Sequence, residues 1–178
     1  MKRITILVAI LAALMSTTAA MADGEDATAT ASLINTQGAV IGTATFTQLN
    51  ETLVKIEVTA SGLTPGRHGV HIHSVGSCTP GTTTPFSSAG GHFNPTGGTH
   101  GLHGGDGAHA GDLHNLVVRP DGTVDFVLTT SRVSLLDGPT SLFDADGSAL
   151  VIHADEDDQE TNPTGNSGAR VACGAIQR

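Results

Sequence analysis

The stretch that most constrains this chain of 178 residues is Gly90–Asp112, which reads GGHFNPTGGTHGLHGGDGAHAGD. It contains nine glycines and four histidines, and it shows neither the period of a helix nor that of a strand. Loops longer than about 12–15 residues are uncommon in compact domains unless they carry a function or are disordered. Glycine lets the backbone bend sharply, and imidazole and carboxylate groups bind transition metals. Two interpretations stay open: a loop ordered by a bound cation, and a flexible tract whose composition only hints at metal binding.

The N-terminus has the pattern of an export signal. Lys2 and Arg3 form a positive start, and Ile4–Met15 is an apolar run too short to span a bilayer. Ala20–Ala22 then supplies small residues for cleavage. The sequence therefore predicts a signal peptide over residues 1–22 and a periplasmic or secreted product; an uncleaved membrane anchor is the alternative.

Cleavage would leave residues 23–178 as one domain, which is long enough to bury a sizeable core. It would remove Lys2 and Arg3 but no acid, leaving six bases against 17 acids and a net charge of −11. A chain this acidic is not expected to bind nucleic acid or an anionic membrane surface. Its core must be aliphatic, because the sequence has five Phe and neither Tyr nor Trp.

The sequence has two cysteines, Cys78 and Cys173. In an exported chain an even number of cysteines indicates a disulfide. This one would close a loop of about 95 residues, worth on the order of 4–5 kcal/mol in the chain-entropy model. Two buried free thiols are the alternative.

Short runs rich in β-branched residues, separated by turn residues, predict eight strands. Turns at near-regular spacing favour an antiparallel sandwich or barrel, and no run has the period and length of a helix. The spacing fails in two places, after Ser74 and after His153, where long loops carry most of the polar chemistry. The predicted strands are Thr28–Ile34, Ala39–Gln48, Thr52–Ala60, Gly69–Ser74, Leu113–Arg119, Thr123–Thr130, Ser148–His153 and Ala169–Ile176.

Histidines recur where strands end. His71 and His73 alternate on a predicted strand, so both imidazoles share one face and can hold one metal ion. A coincidental pair on a solvated face is the alternative. His153 ends another strand and could supply a third imidazole. A second set has intervals of eight, nine and three residues and fits a tetrahedral zinc site: His92, His100, His109 and Asp112.

These motifs, in this order, resemble the copper/zinc superoxide dismutase family. The matching segments are GVHIH from Gly69, GHFNP from Gly91, His100, HAGDL from His109, VIH from Val151 and GNSGARVACG from Gly165. The resemblance covers about Ala27–Ile176 and implies an all-β fold, an eight-stranded antiparallel Greek-key barrel or sandwich with two long functional loops. It implies an exported enzyme that converts the superoxide anion to oxygen and hydrogen peroxide. A module that buffers copper or zinc without turnover, and a purely structural sandwich, are the competing hypotheses.

Carried onto this sequence, the resemblance implies a copper ion and a zinc ion. Asp157 would link the outer nitrogens of a copper and a zinc histidine, and Arg170 would attract the anion. His92 would bridge both ions, release copper on its reduction and carry a proton to the peroxide. Cys78 would pair with Cys173 and tie the first long loop to the last strand. The implied ligands are His71, His73, His92 and His153 for copper, and His92, His100, His109 and Asp112 for zinc.

Three histidines fall outside this scheme. His103 is predicted not to be a ligand, because the zinc spacing is complete without it. His68 and His114 flank strands and are predicted to lie on the surface. The sequence leaves monomer and homodimer open.

The chain departs from the family pattern in its second long loop, residues 154–168, which holds five acids and no lysine. Relatives often carry lysines there that guide the anion. In this chain Pro163 occupies one such place and Asp155 another. We therefore expect slower capture of superoxide than in relatives with those lysines.

Overall fold

The computed structural model describes residues 27–81, 83–103 and 107–178, and this part of the chain is all-β. The predicted signal peptide, and its cleavage site, lie outside the described residues. No helix in the described part is long and apolar enough to cross a membrane. Its nine strands are β1 Thr28–Asn35, β2 Val40–Asn50, β3 Leu53–Ala60, β4 Gly66–His68, β5 Val70–His73, β6 Leu116–Val118, β7 Val124–Thr130, β8 Ala149–His153 and β9 Arg170–Ala175.

Seven of the strands form one curled sheet in the order β5-β8-β9-β1-β2-β3-β7, and β4 pairs with β6 in a second, two-stranded sheet. Every strand pair in both sheets is antiparallel. The predicted all-β antiparallel class is therefore confirmed. A hairpin turn at Thr36–Gly38 joins β1 to β2, and Gly38 there has a φ of 81°, which glycine adopts without strain.

Strand alternation places the core. In β3 the residues Val54, Ile56 and Val58 are buried while those between them are partly exposed, because alternate side chains of a strand lie on opposite faces. The largest fully buried side chains include Phe46 of β2 and Ile72 of β5. Burying aliphatic side chains of this size contributes about 1.5–3 kcal/mol each, so this core supports the strands that present the polar site.

The predicted fourth strand, Gly69–Ser74, is divided differently in the structure. β4 and β5 are separate strands on either side of Gly69, because β4 pairs with β6 and β5 pairs with β8. Gly69 lies where the chain changes partners, and its backbone N–H donates to Asp155 O at 2.8 Å. The chain therefore enters the second sheet before the predicted start of the strand.

The predicted fifth strand, Leu113–Arg119, is shorter, since only Leu116–Val118 is strand. Its first residues make contacts with the loop after β8 instead, through Asn115. The remaining strand ends differ from the prediction by one or two residues.

Both predicted long loops are present, over residues 74–115 and 154–169. A third long connection, residues 131–148, joins β7 to β8 and was not singled out by the sequence. It buries Val133, Leu135 and Leu142, so it belongs to the main core.

Candidate metal centre

Strand β5 places two histidines under the first long loop. Val70 and Ile72 point into the hydrophobic core, while His71 and His73 lie on the other face of the strand. Both imidazoles are nonetheless buried, with 0% and 1% of their surface exposed. The predicted shared face of the two histidines is confirmed, and it is not a solvated face.

The glycine-rich loop covers that face by pairing with β5. His73 lies opposite His92, and His71 lies opposite Asp112, in isolated antiparallel bridges. Ile72 N donates to Gly111 O at 2.9 Å. A side chain on Gly111 would collide with the backbone carbonyl of Ile72, so glycine is what lets the loop approach this closely. The described parts of this loop therefore lie against β5 and bring their histidines to those of the strand.

Four imidazoles converge in a first buried cluster, whose ligand atoms all lie within 4.8 Å of one another. His73 Nδ1 donates to Gly90 O at 2.9 Å, and His153 Nδ1 donates to Gly168 O at 3.2 Å. The Nε2 atoms of these two rings therefore face each other as lone pairs, 3.4 Å apart. The members of this first cluster are His71, His73, His92 and His153.

Two further nitrogens of the first cluster have no hydrogen-bond partner. His71 Nδ1 and His92 Nε2 are buried and unpaired within the described part of the chain. Buried polar atoms are normally hydrogen-bonded, so two orphans in one cluster call for an absent partner. Four imidazole lone pairs facing inwards fit a transition-metal cation, which would replace repulsion between them by coordination.

A second buried cluster forms around Asp112. Three imidazole nitrogens approach Asp112 Oδ1: His92 Nδ1 at 2.8 Å, His100 Nδ1 at 3.1 Å and His109 Nδ1 at 3.4 Å. The other oxygen, Oδ2, accepts from the backbone N–H groups of Gly101 at 2.9 Å and His109 at 3.0 Å. Three nitrogens and one oxygen in this arrangement match the donor set of a closed zinc site.

The residues whose ligand atoms lie within 4.8 Å in this second region are His71, His92, His100 and Asp112. His71 is nearby, but its Nε2 is already bonded to Asp157 at 2.6 Å. His109 Nδ1, in contrast, lies 3.4 Å from His92 Nδ1 and faces Asp112. His109 is therefore the better third imidazole for this cluster, as the sequence spacing predicted.

Asp157 connects the two clusters from behind. Its Oδ2 accepts from His71 Nε2 at 2.6 Å, and its Oδ1 accepts from His100 Nε2 at 3.0 Å. A side chain on Gly165 would collide with both Asp157 and His100, so a glycine there leaves room for the pair. Carboxylates bonded to the outer nitrogen of a metal-binding histidine fix its tautomer and ring direction.

Burial keeps three histidines of the first cluster neutral. Burial lowers the pKa of His71 to about 4 and that of His153 to about 3, and it lowers the pKa of His73 well below its ordinary value. Metal binding requires deprotonated ligand nitrogens, so these rings are ready to bind at neutral pH.

The second cluster behaves differently because it contains carboxylates. Burial opposes ionisation of Asp112, yet hydrogen bonds from His100 and His92 hold its pKa well below the ordinary value. Burial likewise opposes the charge on His100, but its bonds to Asp112 and Asp157 raise its pKa to about 9. In the metal-free protein, a protonated His100 thus supplies the positive charge that a metal ion would place beside these carboxylates.

Arg170 reaches the first cluster through an irregularity in the sheet. The register of β8 and β9 shifts between Ile152 and His153, which leaves Val171 as an extra residue and sets Arg170 opposite His153. Bulges of this kind redirect side chains near functional sites. The half-buried guanidinium donates to Phe86 O and Gly90 O, both at 2.6 Å.

Arg170 and histidines of the first cluster line one open cavity of about 450 Å³. His73, His92 and His153 contribute to its wall, together with Pro163 and other residues of the second long loop. A small anion that enters this cavity meets a fixed positive charge and the clustered imidazoles together.

A disulfide joins Cys78 to Cys173, as predicted. Cys173 is fully buried in β9, so the bond fixes the first long loop to the strand that carries Arg170. The same loop supplies Phe86 O and Gly90 O, the two acceptors of the Arg170 guanidinium.

A protein-family model for copper/zinc superoxide dismutase (SODC) matches residues 40–176. The chain belongs to this family. It is 44% identical over 155 residues to superoxide dismutase (Cu-Zn) 2 of Aquifex aeolicus, covering 86% of this chain and 88% of that protein. It is 43% identical over 183 residues to superoxide dismutase (Cu-Zn) of Deinococcus radiodurans, covering 97% of each.

The chain is also similar to proteins that are not named as superoxide dismutases. The superoxide dismutase-like protein YojM of Bacillus subtilis is 42% identical over 146 residues, covering 81% of this chain and 73% of that protein. A crystal structure of a SOD-like protein from Bacillus subtilis superposes with a TM-score of 0.77 at 41% identity, covering 82% of this chain and 96% of that chain. The clock protein EA4 superposes with a TM-score of 0.71 at 34% identity, covering 85% and 94%.

The histidines outside the two clusters fall in different places. His103 and His114 are exposed, and neither contributes to a cluster in the described part of the chain. The prediction that His68 lies on the surface is wrong, since 2% of it is exposed. Its Nδ1 lies 2.7 Å from His153 O and its Nε2 lies 2.8 Å from Thr64 O, so it supports the backbone that carries His153.

Sequence reasoning also missed Asn115. Its amide donates to Asp157 O at 2.8 Å and accepts from Asp157 N at 2.9 Å, which fixes the backbone of the residue that connects the clusters. The only sign of this role in the sequence is the position of Asn115, three residues after the predicted zinc ligand Asp112.

Proposed function

We propose that this protein is an exported copper/zinc superoxide dismutase. It converts two superoxide anions and two protons to one molecule of oxygen and one of hydrogen peroxide. Copper is held by His71, His73, His92 and His153, and zinc by His92, His100, His109 and Asp112. Membership of the family supports the reaction class, and the two buried clusters support a site for each ion.

One observation carries this proposal: the cluster with two unpartnered nitrogens opens onto the same cavity as Arg170. A protein that only stores metal has no use for a fixed cation over the cluster. The guanidinium is held by two backbone carbonyls, and arginine keeps three further N–H donors for a ligand. Arg170 would thus attract superoxide and orient it at the floor of the cavity.

When bound, copper supplies a one-electron couple that oxidises one superoxide and reduces the next, while zinc supplies a fixed charge without redox chemistry. The chain must bring protons to the product. His92 is suited to this, because its Nε2 is buried at the cavity and its Nδ1 faces Asp112. Asp157 keeps the rings of His71 and His100 in the orientation that the clusters require.

The test joins metal analysis to an activity assay on purified mature protein. We expect one copper and one zinc per chain and dismutation of superoxide. Arg170→Ala should lower the rate with metal content unchanged, while Arg119→Ala, at an exposed arginine of the same charge, should not. A fully metal-loaded protein without activity would support the metal-buffering alternative instead.

Export is a separate part of the proposal and rests on residues 1–22 alone. N-terminal sequencing of the protein recovered from outside the cytoplasm is expected to begin at Asp23. Recovery of the intact chain in the cytoplasmic fraction would contradict this part without affecting the metal site.

A further inference from the structure

Arg132 is a half-buried arginine with no part in the scheme above. It lies two residues after the end of β7, and its backbone N–H donates to Thr130 Oγ1 at 3.2 Å, which fixes the turn. Its guanidinium points at the second cluster, where its NH2 group donates to the main-chain oxygen of Asp112 at 2.7 Å. The contact spans 20 residues of sequence and joins the first long loop to the third.

The bond to Arg132 complements the other contacts of Asp112. The backbone N–H of Asp112 donates to His109 O at 3.1 Å, and Oδ2 accepts from the N–H groups of Gly101 and His109. Oδ1 faces the imidazoles of the second cluster. Arg132 supplies the contact to the main-chain oxygen, so that the nitrogen, the oxygen and the carboxylate of this residue are all held.

This arrangement is costly in itself. Arg132 Nε is buried and has no partner in the described part of the chain. An unpaired buried donor on a charged group costs free energy. A neutral apolar residue would avoid that cost. The contact between the Arg132 guanidinium and Asp112 must therefore offset it.

The compensation is electrostatic as well as geometric. Asp112 and Asp157 are both fully buried carboxylates, and the metal-free chain must balance their charge. The histidines of the clusters can do so only when protonated, which prevents them from binding metal. Arginine stays charged at all physiological pH values and is not a metal ligand. It can therefore place a positive charge beside Asp112 without occupying the position of the ion.

We infer that Arg132 is a positioning residue for the zinc cluster: it holds the end of the first long loop beside the end of β7 and keeps Asp112 in an ordered position before the metal arrives. This inference rests on the zinc site of the proposed function and adds a residue to it. Arg132 touches neither ion nor substrate in this assignment. Its effect is on the affinity for zinc.

The experiment is a competitive titration of the metal-free, disulfide-intact protein with Zn²⁺ against a chromophoric chelator. We expect Arg132→Ala to weaken zinc binding about 10–100-fold, the usual effect of removing a residue that supports a ligand. Arg132→Lys keeps the charge and should recover part of the loss. Arg119→Ala is the control, because the guanidinium of this exposed arginine hydrogen-bonds only to the side chain of Thr123, at 3.4 Å, within the described residues.

Urea unfolding of each metal-free variant separates positioning from stability. Wild-type zinc affinity in Arg132→Ala overturns the inference, even if that variant unfolds more easily. If Arg132→Ala does not fold, Arg132→Met carries the test with the same two outcomes, since methionine keeps most of the aliphatic side chain but has no N–H donor. Failure of the wild-type protein itself to bind zinc would instead contradict the proposed function.

Discussion

Asp157 Oδ2 accepts a hydrogen bond from His71 Nε2 at 2.6 Å, with both side chains fully buried. The same carboxylate accepts from His100 through its other oxygen. One residue of the second long loop thus fixes a ring in each cluster, and it is itself fixed by Asn115. The orientation of both metal sites depends on a side chain that binds neither ion.

Replacing this carboxylate should therefore weaken both sites. We expect Asp157→Asn to lower the affinity for zinc and for copper by about 10–100-fold. Asparagine offers one acceptor oxygen and an NH2 group in place of two acceptor oxygens, so His71 and His100 cannot both keep the bond that sets their tautomer. Equilibrium dialysis of the variant against each metal measures the loss. Asp155→Asn is the control, since Asp155 lies in the same loop with an exposed side chain. Equal losses in the two variants would contradict a specific role for Asp157.

His103 provides a test of the assigned ligand set. We expect His103→Ala to retain one zinc per chain, because His103 is exposed and outside both clusters. His100→Ala should lose the zinc, since its Nδ1 lies 3.1 Å from Asp112 Oδ1 within the second cluster. Metal analysis after dialysis distinguishes the two. Loss of zinc from His103→Ala would show that the loop can rearrange around another histidine.

The sequence predicted which histidines lie close together, because strand alternation and spacing constrain them. Alternation along β5 puts His71 and His73 on one face, and the resemblance supplies the order of the others. The sequence could not predict contacts that depend on the pairing register of the strands. The bulge that sets Arg170 opposite His153 is one extra residue in a ladder, and nothing in the local pattern marks it. His68 looked like a surface residue because its two acceptors are backbone carbonyls, which any sequence supplies.

Capture of superoxide should respond to charge in the second long loop. We expect Asp155→Lys to raise the second-order rate a few-fold at low ionic strength and to make it fall more steeply with added salt, because steering by surface charge is screened. Asp155 is exposed, so the change should leave the fold intact. Glu51→Lys, in the hairpin between β2 and β3, makes the same charge change at an exposed residue of another loop. A wild-type rate already at the diffusion limit would show that steering comes from elsewhere.

The disulfide should contribute to both stability and activity. Cys78 and Cys173 are separated by 95 residues, and in the chain-entropy model their bond stabilises the fold by about 4–5 kcal/mol. We expect the double variant Cys78→Ser, Cys173→Ser to unfold at lower urea concentration. Its rate should also fall, because the loop that carries Phe86 O and Gly90 O no longer holds Arg170 in place. A variant that is less stable but fully active per copper bound would contradict the second effect.

The metal-free protein should be most stable near pH 6.5. Bonds to Asp112 and Asp157 outweigh burial and raise the pKa of His100 from 6.5 to about 9. The folded chain then keeps a proton that the unfolded chain releases, so this stabilisation is complete below pH 6.5 and is lost as the pH rises to 9. Burial lowers the pKa of His71 from 6.5 to about 4, so its contribution is lost as the pH falls from 6.5 to 4.

Bound zinc should abolish the loss of stability between pH 6.5 and 9. With zinc on its Nδ1, His100 no longer needs a proton to face Asp112, so the unfolding midpoint in urea should stay level from pH 6.5 to 9. The acid loss should instead become steeper, because protons then compete with metal for the ligands. Midpoints measured from pH 4 to 9 with and without zinc test this, and His114→Ala, at an exposed histidine, serves as the control. A metal-free protein whose midpoint does not change between pH 6.5 and 9 would show that His100 carries no extra proton in the fold.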